Sequence, residues 1–431
     1  MRLPHLPLYV RVMLGVALGV ACGLIFGTGD IMFGLTTEHL SQLGILVIRM
    51  LKMLAVPLVL FAILDALART EVSARMGFRL IVICLFNVAV AFTIGLVLMN
   101  TIHPGDEWQG RIAEITGHEG LEKLKQAPAG TTLSPLDNLA KWIPESIVQP
   151  FSENNVISVV LLSILLGAAL RKSLHTPATA EAAGAVAKLV EGGFHILSQM
   201  LTWVVELVPF AVFGTVSFVV GKSGLDAFSA LWGFLFTILL GFALHAGGYY
   251  TLMAWWVGRK PPRVYLGKGA NAILTGLSTN SSLATVPVTL ACLDKMGVSK
   301  ESARMSACIG TNLNNDGITL YEAMAALFLA QGLGYDLSLG AQLTIVAASM
   351  MAGIGIAGIP EAGLIVLPLV LHAVGLPEPV VAALIPVIFV VDWILARCRT
   401  VVNVMSDMLV AILLERWRGR DPASPEPRGI A

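Results

Sequence analysis

The sequence predicts an all-α integral membrane protein: eight transmembrane helices plus two re-entrant helical hairpins of opposite orientation, arranged as inverted repeats. Three observations carry this. Of 431 residues, 56% are hydrophobic and 13% charged, against about 25% charged in soluble domains. The apolar runs approach the length of a membrane-spanning helix and do not alternate, which suits helices and not a barrel. Basic residues alternate between connections up to Lys268, and then flank an apolar segment at both ends.

Six conventional spans come first, at about 9–27, 43–67, 78–102, 155–170, 182–219 and 225–257. The first apolar run, Tyr9 to Phe26, is long and Gly-rich for a signal peptide and is followed by more spans, so it is read as a retained helix. Hydropathy does not explain Arg49 and Lys52 in the second span. Pro209 is expected to interrupt the overlong fifth. Arg2 and Arg11 lie at the start of the first span, and connection 28–42 has no Lys or Arg. Arg69 and Arg75 follow, then a long acid-biased stretch over 104–154, then Arg171 and Lys172, then Lys222 alone, then Arg259, Lys260, Arg263 and Lys268. Positive residues favour the cytoplasm, so the N-terminus is placed there. Trp255 and Trp256 suit an interfacial aromatic belt.

Segment 265–296 has basic residues at both ends and a polar middle, Leu277 to Ser282 followed by Thr285-Val286-Pro287. One helix cannot cross and return, so a first re-entrant hairpin is expected. The span 302–331 is interrupted by Gly310-Thr311-Asn312-Leu313-Asn314-Asn315-Asp316-Gly317. Its carbonyl, carboxamide and carboxylate oxygens make a hard-cation site, or else a kinked helix with polar packing contacts. Segment 341–374 has no Lys or Arg at either flank and a Gly-rich middle through Pro360, which predicts a second hairpin from the opposite face. The last span, 380–415, returns inward and ends in Arg416, Arg418 and Arg420, so both termini are cytoplasmic and 419–431 reads as a disordered tail. The membrane is taken as the plasma (bacterial inner) membrane, with lipid around the spans.

Several classes are excluded. The five cysteines are scattered, so neither disulfides nor a zinc site are expected. No familiar catalytic motif is present, so no enzyme is predicted. A net charge of zero points to no nucleic acid.

The site is organised by the last span. Asp392, Ala396, Arg399, Asn403 and Asp407 follow steps of four, three, four and four, one polar stripe with a gap at Ala396. An arginine inside a bilayer is expensive without a partner or ligand. It either pairs to fix helix packing or receives a small anionic substrate, and the second reading is favoured. Arg399, Thr400, Ser281, Ser282 and the backbone N–H groups of both hairpin tips would bind the anion. Asn314, Asp316, Asn403 and Asp407 would bind cations, sodium in preference to protons.

These residues resemble the dicarboxylate/amino acid:cation symporter family, which includes excitatory glutamate transporters, neutral amino acid exchangers and bacterial C4-dicarboxylate carriers. The motifs are Ser281-Ser282 through Pro287, Asn314-Asn315-Asp316-Gly317, the second tip from Ala357 through Gly358, Ile359 and Pro360 to Gly363, and Ala396-Arg397-Cys398-Arg399-Thr400 through Asp407. The resemblance implies a homotrimer and an elevator mechanism. A fixed scaffold (1–67 and 155–219) would hold a mobile transport domain (78–103 and 225–418), with the second hairpin as external gate. It also implies that Ser282 and Asn403 hold the main carboxylate and Arg399 the distal one. Sodium would take Gly310, Asn312, Asn314, Asn403, Asp407, Asp316 and, on a weaker alignment, Asn87.

The departures bear on substrate. The family's amino acid carriers have Asp where Ala396 stands, and a Thr where Ile318 stands. The C4-dicarboxylate carriers lack that Asp and share the Cys before the Arg. The expected function is therefore cation-coupled uptake of a C4-dicarboxylate. A sodium-coupled acidic or neutral amino acid symporter of the same fold is the alternative, and an anion channel or substrate sensor a third reading.

Overall fold

The computed structural model describes residues 8–69, 74–109, 143–153, 156–225, 229–312, 314–335, 337–353, 362–373 and 378–418. Helix α1 (Leu8–Phe26) leads through a small hairpin, β1 (Asp30–Met32) on β2 (Leu35–Thr36), into α2 (Thr37–Arg69). Then come α3 (Ala74–Ile102), α4 (Val156–Leu174), α5 (Ala180–Val205) and α6 (Val208–Ser223). The overlong fifth span is thus two helices, with Pro209 in the first turn of α6, where its missing N–H leaves no bond unmade. Helix α7 (Ser229–Phe242) continues through a π-helical stretch, Ala243–Tyr250, into Thr251–Trp256.

Both α1 and α2 pack on α6, and α2 also meets α4 and α5. Gly15, Gly19 and Gly23 make the α1–α6 seam. A Cβ at Gly15 would stand 2.5 Å from the Pro209 carbonyl oxygen, and one at Gly23 2.6 Å from that of Ser217. Glycines four apart clear one helix face, so backbone meets backbone.

In the C-terminal half, α8 (Lys268–Thr279) and α9 (Ser282–Lys295) fold back on each other. The chain reverses at Asn280, in the left-handed region at φ 52°, and at Ser281, whose hydroxyl caps α9 by accepting the Ala284 N–H at 3.2 Å. The two helices thus form a helical hairpin where the first re-entrant hairpin is expected. The expected break in the next span is also present. Helix α10 (Lys300–Arg304) loosens into a π turn over Met305–Ile309 and a 3-10 turn over Gly310–Asn312, and helix restarts as α11 (Asp316–Gly332). Two limbs, α12 (Leu339–Gly353) and α13 (Ala362–Ala373), flank the second hairpin tip, which lies outside the described residues. So do the tail 419–431 and 110–142 of the long connection after α3. The last helix, α14 (Glu378–Arg418), packs on α8, α9, α11 and α13.

Among the described residues, four helical stretches are long and apolar enough to cross a membrane: Thr37–Asp65, Arg75–Ile102, Ala180–Lys222 and Leu231–Trp256. Four of the eight expected spans fall outside this set, α1, α4, α11 and α14, and for the last two the physical reason is plain. Helix α11 is buried at every residue but has only 17, or about 26 Å against a hydrocarbon core of about 30 Å. Helix α14 is long enough, yet Asp392, Arg397, Arg399 and Asp407 interrupt its apolar run.

Candidate substrate and cation site

Helix α14 turns its polar stripe inward: Asp392, Ala396, Arg399, Asn403 and Asp407 are all buried. Arg399 is held on three sides. Its Nη1 donates to Asp392 Oδ1 at 3.0 Å and its Nη2 to Asp392 Oδ2 at 3.3 Å. Its guanidinium carbon lies 4.2 Å from the centre of the Tyr321 ring. On α13, a Cβ at Gly363 would come within 2.2 Å of Nη1, so bare backbone covers the group. The stripe spacing leaves two readings of Arg399, an ion pair that fixes helix packing or a ligand site, with no acid at 396. Asp392 supplies it instead, because seven residues make two turns and helical side chains lean toward the N-terminus. Glu322 is also wholly buried within electrostatic reach of this pair, and neither of its carboxyl oxygens has a hydrogen-bond partner among the described residues.

The first hairpin tip joins this centre. Ser281 and Ser282 are buried, and the Thr400 hydroxyl donates to Asn280 Oδ1 and to the Ala396 carbonyl, each at 3.1 Å. Asn403 Oδ1 accepts the Gly317 N–H at 2.9 Å, and its Nδ2 donates to Asn315 Oδ1 at 3.4 Å. Ile318 follows, buried and without a hydroxyl. Thus Asn403 joins α14 to the start of α11, where Ile318 lies, Thr400 joins α14 to the hairpin tip that carries Ser281 and Ser282, and Gly363 lies on Arg399. Gly358, Ile359 and Pro360 lie outside the described residues.

The cation residues gather around the break before α11. Asp316 Oδ2 accepts the Tyr250 hydroxyl at 2.6 Å and the Ser406 hydroxyl at 2.9 Å, with His245 Nε2 at 3.5 Å. Asn314 Nδ2 donates to Ser406 Oγ at 2.7 Å, and the Asn314 N–H donates to the Gly310 carbonyl at 2.7 Å. Thr311 and Asn314 both face the Asp407 carboxyl. Yet Thr311 Oγ1, Asn314 Oδ1, Asp316 Oδ1 and Asp407 Oδ1 have no partner in hydrogen-bonding geometry among the described residues. Each such buried atom costs about 1–3 kcal/mol. Unpaired buried oxygens are the ligands that a hard cation takes. The Asn312 turn belongs to this break, though its side chain is outside the described set.

Asn87 lies on α3 and is buried. Its Oδ1 accepts the Tyr249 hydroxyl at 2.7 Å, while its Nδ2 has no partner among the described residues. The hydroxyl reaches it because Tyr249 lies in the π-helical stretch of α7, which packs on α3. The Tyr249 ring stacks on His245 at 5.3 Å and 17°, so Asn87 connects to Asp316 through two rings. Sequence reasoning missed Tyr249, Tyr250, His245, Tyr321 and Glu322 altogether. The available signal was polar side chains inside apolar spans.

A hairpin turned against a broken helix, with opposed charges buried beside bare oxygens, defines a helical membrane transporter that moves a solute together with cations. The sequence matches the family model described as the sodium:dicarboxylate symporter family over residues 8–417, and the chain belongs to that family. It is a multi-pass, sodium-coupled symporter by that membership. Similar proteins include excitatory amino acid transporter 1 of Ambystoma tigrinum, 29% identical over 92% of this chain and 81% of that protein. Excitatory amino acid transporter 3 of Mus musculus is 29% identical over 93% and 83%. An excitatory amino acid transporter of Onchocerca volvulus is 30% identical over 96% and 90%.

Proposed function

We propose that the chain couples sodium entry to uptake of an acidic amino acid. The observation that carries this is the Arg399–Asp392 ion pair, buried inside the protein. A dicarboxylate that displaces Asp392 from Arg399 leaves that carboxylate buried without a counter-charge. An amino acid brings an ammonium that offsets it. The names of the relatives support the same reading, which the sequence alone ranks behind a C4-dicarboxylate. In this scheme the substrate's distal carboxylate replaces Asp392 on Arg399. The released Asp392, with carbonyls of the hairpin tips, takes the ammonium. Ser281, Ser282, Thr400 and Asn403 hold the main carboxylate. Sodium ions take the oxygens of Gly310, Asn312, Asn314, Asp316, Asn403 and Asp407, with protons as the alternative coupling ion.

Ala396 favours the second reading, a C4-dicarboxylate: it is buried one turn before Thr400 and offers no acid. Purified protein in liposomes under an inward sodium gradient separates the two. The expected result is accumulation of labelled L-aspartate against its gradient, abolished when sodium is replaced by choline. Succinate accumulating without competition from aspartate would establish the dicarboxylate reading. A flux of either anion that never exceeds equilibrium would make the protein a channel or a sensor.

The working cycle is read as an elevator within a homotrimer, in the plasma (bacterial inner) membrane and with cytoplasmic termini. Helices α1, α2 and α4–α6, which pack on one another, are the proposed scaffold. The elements gathered around α14 are the proposed moving part, with the second hairpin as gate. The placing of Lys and Arg supports the orientation.

A further inference from the structure

A second cavity lies away from the centre just described. It is a cleft of about 420 Å³ between α3, the end of α7 and the end of α14. Its walls are apolar: Val82, Ile83, Phe86, Met253, Val257 and Leu413. Its rim carries Arg79, Arg416 and Trp417, and no acidic side chain among the described residues lines it. The Arg79 guanidinium lies 5.5 Å from the centre of the Trp417 ring. Arg416 Nε is buried and has no hydrogen-bond partner among the described residues. Phe86, Trp417 and the neighbouring Trp256 are exposed on this side, among the basic helix ends that the proposed orientation puts at the cytoplasmic face.

We propose that this cleft is a binding site for an anionic phospholipid of the cytoplasmic leaflet. One acyl chain fills the apolar walls, and the headgroup phosphate is held by Arg79 and Arg416. Apolar walls closed by two guanidiniums complement an amphipathic anion, and they fit neither a neutral lipid nor a free inorganic ion. The exposed aromatic mouth opens toward bilayer, which selects a lipid over a soluble anion. The floor of the cleft is Asn87. A seated chain therefore lies against the Asn87–Tyr249 hydrogen bond on the side facing away from Asp316.

Native mass spectrometry of the intact protein, released from vesicles of phosphatidylcholine with one-fifth phosphatidylglycerol, tests this. The expected result is retained phosphatidylglycerol, lowered about fivefold or more by Arg79→Gln with Arg416→Gln, and equally by Met253→Trp, which fills the cleft and keeps both charges. Lysine at both arginine positions should restore retention. Arg263→Gln, an exposed basic residue outside the cleft, should leave it unchanged. Retention that none of the cleft variants lowers, or that Arg263→Gln lowers as much, would overturn the site. Equal protection against heating by inorganic phosphate in detergent would overturn its assignment to lipid.

Discussion

Arg399 is neutral in sum only because Asp392 is beside it, and this makes the pair the first residue-scale test. Removing one partner of a buried ion pair costs about 3–5 kcal/mol. Asp392→Asn should therefore lower the unfolding temperature of the substrate-free protein by several degrees. Added L-aspartate should recover more of that loss than it adds to the wild type, because its carboxylate fills the vacated place on Arg399. A thermal melt with and without substrate reads both. At Ala396 the expected gain is selectivity: Ala396→Asp offers a second acid to an ammonium and repels a dicarboxylate. One added charge contact of about 1.4 kcal/mol is tenfold, so the ratio of aspartate to succinate uptake should rise by about that factor. Much of this centre was legible in the sequence, because the stripe spacing of α14 alone puts Asp392, Arg399, Asn403 and Asp407 on one face. Which acid meets the guanidinium was not legible. That choice depends on how far a long side chain leans back along its helix.

At the scale of elements, the π-helical stretch of α7 decides what faces α3. It places the Tyr249 hydroxyl on Asn87, and a buried amide oxygen stripped of its donor costs about 1–3 kcal/mol. Tyr249→Phe should destabilise the protein by that amount in a denaturation measurement. It should also change the sodium dependence of uptake, since Asn87 Oδ1 then becomes available to a cation. This arrangement was not legible in the sequence: a π turn adds a residue to one turn without any change in hydropathy. The hairpin at 265–296 and the break before Asp316 were legible, because Asn, Gly and Ser clusters cannot persist as lipid-facing helix. The division of the fifth span at Pro209 was legible for the same kind of reason.

For the whole molecule, the proposed sodium site draws on oxygens of Asn314, Asp316 and Asp407 that have no hydrogen-bond partner among the described residues, so a bound cation is expected to stabilise the fold. Ligand binding to the native state stabilises by RT ln(1 + [L]/Kd). Sodium should raise the unfolding temperature progressively with concentration, choline should not, and Asp407→Asn should flatten the response. The count of spans was only partly legible, since α11 is short and α14 is charged, and both are secured by burial within the protein. The α1–α6 seam sets a final expectation. Glycines at every fourth residue let the two backbones touch there, so a pair of spin labels on opposite sides of it should report one narrow distance in every ionic and substrate condition. That invariant separation is a built-in ruler, and the displacement of any other segment can be measured from it.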